Sequence, residues 1–106
     1  MIEFLKQLFG LGPKVDLSEI VKAGATILDV RSRAEYSSGH VKGSVNIPLD
    51  QLSSNLSKLK DKSQPIITCC ASGIRSASAK GILRSAGYIN VHNGGAWQNA
   101  NSLKKS

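Results

Sequence analysis

Short apolar runs recur along this chain at intervals that suit the strands of a small sheet, and this pattern constrains the fold more than any other feature. Four runs have the length, and most have the β-branched residues, of buried β-strands. They are Thr26–Val30, Ser44–Ile47, Pro65–Cys69 and Ile89–His92. Pro48 closes the second run, since proline cannot continue a ladder of backbone hydrogen bonds.

Between these runs, capping residues and the helical spacing of apolar side chains predict three helices. They are Leu17–Lys22, capped by Asp16 or Ser18; a helix capped by Asp50 with Leu52, Leu56 and Leu59 on one face; and Ser76–Ala86, capped by Ser76. Strands that alternate with helices form βαβ units. We therefore expect an α/β fold, with a small, mostly parallel sheet and helices on both faces.

The length of the chain suits one domain. Its 106 residues are enough for a single core. We assign residues 15–100 to one domain, 1–14 to an N-terminal amphipathic arm and 101–106 to a polar, basic C-terminal tail. The chain has no apolar run of roughly 18 residues, the length of a membrane span. Polar residues interrupt its apolar start, where a secretory signal would be continuous. We expect a cytoplasmic protein with no membrane partner.

The formal net charge of +7 raises the question of nucleic-acid binding. Most of the basic residues are scattered along the chain, and aromatic residues make up only 5% of it, too few for a platform on which bases stack. We expect no nucleic-acid partner. A basic surface instead favours small anionic substrates, which its field attracts.

The stretch that carries chemistry begins at the double cysteine Cys69-Cys70. Adjacent cysteines bridge only with strain, so we expect free thiols. Cys70 follows a predicted buried strand, and the next helix begins about six residues later. The loop between them can wrap backbone N–H groups around the sulfur, and Gly73 allows the positive φ that such a loop needs. These N–H groups, the helix N-terminus and Arg75 all favour a thiolate, which is the nucleophilic form of cysteine.

Three blocks of residues, in this order, resemble the single-domain rhodaneses, a family of sulfurtransferases, over about residues 15–97. The first block is Asp29-Val-Arg31, Glu35, Gly39-His40, Gly43, Asn46 and Ile47-Pro48; the second is Cys70-x-x-Gly73-x-Arg75-Ser76; the third is Gly87-Tyr88, Val91 and Gly94-Gly95. The resemblance implies a rhodanese-like fold.

The resemblance also implies a ping-pong reaction. Cys70 would attack the sulfane sulfur of a small anionic donor such as thiosulfate and hold it as a persulfide. A thiophilic acceptor, either cyanide or a small or protein thiol, would then remove it. The implied anion cradle consists of Ala71, Ser72, Gly73, Ile74, Arg75, Ser76 and Arg31. We expect no cofactor and no metal.

Three further residues are interpreted as supports of this site. Asp29 and Glu35 either orient Arg31 or the loop, or form a structural ion pair. His40 is interpreted as a hydrogen-bonded structural residue, because a resting thiolate needs no general base.

The double cysteine leaves a second interpretation open. Counted from Cys69, the sequence is Cys-x5-Arg-Ser, the pattern of phosphatases and arsenate reductases, whose loop is one residue longer. Gly73 stands where the sulfurtransferase loop has its glycine, so we take Cys70 as the nucleophile. If the strand pleat persists, Cys69 points away from Cys70, which favours a buried structural thiol over the alternative, a resolving cysteine.

A third interpretation follows from the uncharged loop. Ala71 and Ile74 are neutral, so Arg75 is the only charged residue in the loop. We therefore expect thiosulfate to bind weakly. A sulfur-carrier or binding module that acts through protein contacts, with low turnover on small donors, is the alternative that this composition favours.

Overall fold

A computed structural model of the protein describes residues 16–105. It contains one sheet of four strands, all parallel, in the order β2-β1-β3-β4. The strands are β1 Thr26–Asp29, β2 Val45–Asn46, β3 Ile66–Cys70 and β4 Val91–Ala96. The predicted α/β class and parallel sheet are confirmed. The predicted N-terminal arm, residues 1–14, lies outside the described residues.

Within residues 16–105, four α-helices accompany the sheet: α1 Leu17–Lys22, α2 Arg33–Ser37, α3 Ile74–Ser85 and α4 Trp97–Lys105. Asp16 caps α1 as predicted, since its carboxylate accepts a hydrogen bond from the Ser18 backbone. Two helices were not predicted. Ser32 and Glu35 form a reciprocal capping box at the start of α2, and α4 extends into the segment interpreted as a tail.

The helix predicted after Asp50 is wrong. Two short 3₁₀ helices, Leu49–Gln51 and Leu56–Lys58, occupy this region, and the Asp50 side chain makes no capping hydrogen bond. Between them lie two serines and Asn55, whose amide donates to the Gln51 carbonyl. Such local hydrogen bonds compete with a continuous helix. The leucines still face the core, so their spacing indicated which residues are buried but not that they form a continuous helix.

The two faces of the sheet are covered by different elements. On one face α3 packs against β3 and β4 and also contacts the first 3₁₀ helix. On the other face α4 packs against the same two strands and α1 packs against α4. The core divides accordingly. One buried cluster is built around Leu28, Ile66 and Leu83, and the other around Ile27, Val41 and Ala100.

The last strand lies further along the chain than predicted. It begins at Val91 rather than Ile89, which is exposed, and it continues through both glycines of Gly94-Gly95. The pairing of β3 with β4 shifts between Thr68 and Cys70: Thr68 pairs with Asn93, but Cys70 pairs with Ala96. This irregularity is a β-bulge, and it lies beside the loop that follows Cys70.

Within residues 16–105, no helix is both long enough and apolar enough to cross a membrane.

Candidate active site

The two cysteines at the end of β3 face opposite sides of the sheet. Cys70 lies in the cluster covered by α3, and Cys69 lies in the cluster covered by α4. Both are free and buried. This arrangement follows from the strand pleat, which sends successive side chains to opposite faces.

The pKa values of the two thiols are shifted in opposite directions. Burial, and then the charge of Asp29 on the neighbouring strand, raise the pKa of the Cys69 thiol to about 12. Burial also acts to raise the pKa of the Cys70 thiol. There, however, a hydrogen bond between the sulfur and the Ser76 side chain, together with hydrogen bonds from the backbone of Ser76, Ser72 and Gly73, outweighs burial, and the pKa lies below its ordinary value.

The loop after Cys70 folds back over the sulfur. The backbone N–H of Gly73 donates to Sγ at 3.0 Å, and that of Ser76 donates at 3.4 Å. Gly73 has a φ of +97°, and a Cβ built there would lie 3.3 Å from the Cα of Gly95. Only glycine suits both its backbone conformation and this close approach. Ala71 and Ser72 are exposed at the turn of the loop.

The prediction that Ser76 caps the helix is wrong. Helix α3 begins two residues earlier, at Ile74, and its N-cap residue is Gly73. Ser76 therefore lies in the first helical turn, where it is buried and its Oγ lies 3.5 Å from the Cys70 sulfur. Because α3 starts early, its first N–H groups lie close to the sulfur, as the loop prediction required.

Asn93 is a site residue that the sequence analysis missed. Its Oδ1 accepts hydrogen bonds from the Ser76 hydroxyl at 2.6 Å and from the Gly95 backbone at 2.9 Å. Its Nδ2 donates to the Gly73 carbonyl at 3.2 Å. The bulge in β4 brings this side chain to the loop. The pair of glycines after Asn93 was the sequence signal for such a bulge.

Arg75 and Glu35 form a two-pronged ion pair. The guanidinium Nη1 and Nη2 donate to the two carboxylate oxygens at 2.7 and 2.9 Å. The side-chain hydrogen bond from Arg75, together with bonds from Ser32, lowers the pKa of Glu35 to about 2. The only charged residue of the loop is thus paired with an acid, and it links α2 to α3.

The structure does not place Arg31 in the anion cradle. Its side chain is 5% exposed and bonds to the Asp29 carboxylate, with a closest distance of 2.7 Å. Its remaining donors reach the carbonyls of Glu35 and Gly39, and its guanidinium lies 4.8 Å from the ring centre of Trp97. The Asp29 carboxylate is buried on the strand next to Cys69, and a buried carboxylate requires such a partner. Arg31 and Asp29 are therefore a buried structural pair.

The remaining predicted residues lie around the site. His40 is exposed; its Nδ1 lies 2.7 Å from the Tyr36 carbonyl and its ring stacks on Tyr36. Ile74 projects into solvent with 76% of its surface exposed. Beside Arg75 is a cavity of about 270 Å³, lined by Val30, Ser32, Pro48, Leu49, Asp50 and Arg75. In the described part of the chain, no group of three or more His, Cys, Asp or Glu residues could hold a metal.

Comparisons with known proteins point to one family. The model of the rhodanese-like domain matches residues 14–99. The thiosulfate sulfurtransferase PspE of Escherichia coli strain K12 is 36% identical over 69 residues, which are 64% of this chain and 66% of that protein. The uncharacterized protein YqhL of Bacillus subtilis strain 168 is 33% identical over 69 residues, 65% of this chain and 54% of its own. The chain thus spans less than two thirds of these curated relatives.

Solved structures agree in fold. A structure described as rhodanese with anions from E. coli superimposes with a TM-score of 0.68 at 32% identity, covering 72% of this chain and 91% of that one. A human single-domain sulfurtransferase gives a TM-score of 0.68 at 28% identity, covering 85% of this chain and 91% of its own.

Proposed function

The chain belongs to the rhodanese-like domain family, and on that premise we propose that it is a sulfurtransferase with Cys70 as its nucleophile. It takes sulfane sulfur from a donor such as thiosulfate, holds it as a persulfide and passes it to a thiophilic acceptor, either cyanide or a thiol. The observation that carries this proposal is the set of N–H donors around the Cys70 sulfur, at 3.0 Å from Gly73 and 3.4 Å from Ser76. Such donors stabilise an anionic sulfur.

The first half-reaction is a displacement at sulfur. The Cys70 thiolate attacks the outer sulfur of thiosulfate, a sulfur–sulfur bond forms, and sulfite leaves with the electron pair of the bond that breaks. The charges balance, since a thiolate and a dianion give a persulfide anion and a dianion. The negative charge then resides on the outer sulfur, which remains within reach of the loop N–H groups.

In the second half-reaction the acceptor attacks the outer sulfur, and Cys70 leaves as a thiolate. Neither step transfers a proton through a protein base, provided that Cys70 rests as a thiolate. The lowered pKa of Cys70 supports that resting state. Asp29 and Glu35 then serve as structural partners of two arginines, and His40 holds the chain after α2.

The contrast between the cysteines argues against the phosphatase interpretation. Cys69 is buried on the opposite face, and its pKa of about 12 keeps it a thiol at neutral pH. A nucleophile at Cys69 would need a loop that wraps that sulfur, whereas the described N–H donors reach Cys70.

The sulfur-carrier alternative is favoured by a separate observation. Ile74 is 76% exposed at the mouth of the loop, and Arg75 is already paired with Glu35. A small dianion therefore meets little free positive charge in the loop, while an apolar side chain is available to a protein surface. Turnover with a protein thiol acceptor that far exceeds turnover with cyanide would support the carrier function.

The intact mass of the protein after incubation with thiosulfate tests the proposal. We expect a gain of one sulfur atom that a reductant removes. Cys69→Ser is the matched control and retains the gain, whereas Cys70→Ser loses it. A gain that survives in Cys70→Ser and disappears in Cys69→Ser would show that Cys69, on the opposite face of the sheet, carries the sulfur. That result would overturn the proposal.

A further inference from the structure

The hydroxyl of Ser76 lies between two groups that can each accept its single hydrogen bond. One is Asn93 Oδ1 at 2.6 Å, and the other is the Cys70 sulfur at 3.5 Å. A serine hydroxyl donates only one hydrogen bond at a time. The protonation state of Cys70 therefore determines which of the two can receive it.

The orientation of the Asn93 amide is fixed by its backbone partners. The Gly95 N–H can only donate, so the atom facing it at 2.9 Å is the amide oxygen. The Gly73 carbonyl can only accept, so the atom facing it at 3.2 Å is the amide nitrogen. Because Oδ1 is an acceptor, the Ser76 hydroxyl must donate to it in this arrangement, and the sulfur that faces the Ser76 oxygen must itself be the donor, as a thiol.

A thiolate changes this arrangement. It has no proton to donate, and the lone pairs of the Ser76 oxygen would then face an anion in a buried setting, which is unfavourable. Rotation of the hydroxyl brings its proton to the sulfur. Asn93 Oδ1 retains the Gly95 N–H, so no buried acceptor is left without a donor.

We propose that Asn93 is a positioning residue that competes with the Cys70 sulfur for the hydrogen bond of the Ser76 hydroxyl. Asn93 accepts this hydrogen bond while Cys70 is a thiol, and the sulfur accepts it when Cys70 becomes a thiolate. The inference rests on the proposed function only in taking the Cys70 thiolate as the reactive form. Asn93 also holds the Gly73 carbonyl, so it orients the loop by a second contact that does not involve Ser76.

Titration of Cys70 in the reduced protein, without any sulfur donor, tests the competition. The thiolate is followed by its ultraviolet absorbance and by the rate of alkylation with iodoacetamide across a pH series. Cys70→Ser provides the background. The titratable and charged groups that interact electrostatically with this sulfur, namely Cys69 and Arg75, are the same in every variant compared.

We expect Ser76→Ala to raise the apparent pKa of Cys70, because the thiolate loses a donor. We expect Asn93→Ala to increase the thiolate fraction, at a pH below that pKa, by about threefold to tenfold, the value of one released hydrogen bond. In the Ser76→Ala background, Asn93→Ala should give no such increase. The double-mutant cycle separates the competition from the contact with Gly73, which is lost equally in both backgrounds.

An equal change in both backgrounds, of either sign, would show that Asn93 is only a scaffold for the loop and would overturn the inference; so would no change in either. If thermal unfolding shows that Asn93→Ala is not folded, the nearly isosteric Asn93→Asp replaces it. Its carboxylate binds the Ser76 proton more strongly, so it should lower the thiolate fraction, and lower it more with Ser76 present than with alanine there. Because no sulfur donor is used, the result does not depend on whether the protein transfers sulfur.

Discussion

At the scale of single residues, two identical side chains at adjacent positions acquire opposite chemistry. The register of β1 with β3 pairs Asp29 with Cys69, so Cys69 lies beside a buried carboxylate. The next residue faces the other side of the sheet and lies under the N–H groups of the loop. Strand alternation therefore sets the difference in pKa between the two thiols, because it buries Cys69 beside a carboxylate and places hydrogen-bond donors around Cys70.

The ion pair of Glu35 with Arg75 gives a prediction at the same scale. In the folded protein the hydrogen bond from Arg75, and then those from Ser32, lower the pKa of Glu35 from 4.5 to about 2. Because this pKa is lowered, the stability that the carboxylate contributes is fully present above pH 4.5 and is lost as pH falls toward 2. We expect Glu35→Gln to be modestly less stable than the wild type at neutral pH, since the pair is partly exposed.

This difference in the free energy of unfolding should shrink as pH falls through the same window. Urea denaturation of both proteins across a pH series measures it. Arg75→Gln is the matched control, because it removes the other half of the pair and should reduce the same pH dependence. A difference between the wild type and Glu35→Gln that stays constant from neutral pH to pH 2 would contradict the assignment.

At the scale of elements, the bulge in β4 depends on glycine. A Cβ on Gly94 would lie 2.6 Å from Cγ2 of Ile67 and 3.1 Å from the Thr68 carbonyl oxygen, both on β3. We expect Gly94→Ala to destabilise the protein by about 1–3 kcal/mol through overpacking, and to displace Asn93 from the loop. Thermal unfolding measures the first effect, and the alkylation rate of Cys70 measures the second.

Gly81 is the matched control for this substitution. It lies within α3, is exposed, and a Cβ there would have no heavy atom within 4 Å. Gly81→Ala should stabilise the protein by about 0.5–1 kcal/mol, because glycine is a poor helix former, and should leave Cys70 unchanged. Equal destabilisation by both substitutions would show that the bulge has no special need for glycine.

The limits of prediction from sequence also lie at the level of elements. Apolar runs and caps predicted the strands, α1 and most of α3, because burial and capping are local signals. The leucines after Asp50 indicated burial but not its geometry, and two 3₁₀ helices form where the Asn55 side chain bonds locally to the Gln51 carbonyl. Asn93 was missed because its role depends on a register shift between β3 and β4, which arises only when the strands pair.

At the scale of the whole molecule, the two faces of the sheet have different tasks. The face covered by α3 carries Cys70 and its donors. The opposite face is held by Arg31, which joins β1 to the carbonyls of Glu35 and Gly39 and to the Trp97 ring of α4. Breaking such a buried pair leaves a carboxylate uncompensated, which is costly. The cysteine that we propose as the nucleophile thus lies on one face of the sheet, and this buried ion pair stabilises the other.

The net charge of +7 and the single charged residue of the loop make separable contributions to donor capture. Ile74→Arg and Ile89→Arg each add one positive charge, at exposed positions. Ile74 begins α3, directly after the loop at the carboxyl ends of the strands, whereas Ile89 precedes β4 at their amino ends. Salt screens exposed charges beyond about 8–10 Å at physiological ionic strength. A charge placed at Ile89 therefore acts weakly on an anion that approaches the Cys70 loop.

We therefore expect Ile74→Arg to raise the rate at which thiosulfate loads Cys70 severalfold, with a lower KM, and Ile89→Arg to leave it nearly unchanged at physiological salt. At low salt Ile89→Arg should also accelerate loading, because steering by net charge is then less screened. Sulfite release at a series of salt concentrations measures both. Equal acceleration by the two variants at physiological salt would mean that the whole-molecule field, and not the uncharged loop, limits the capture of thiosulfate.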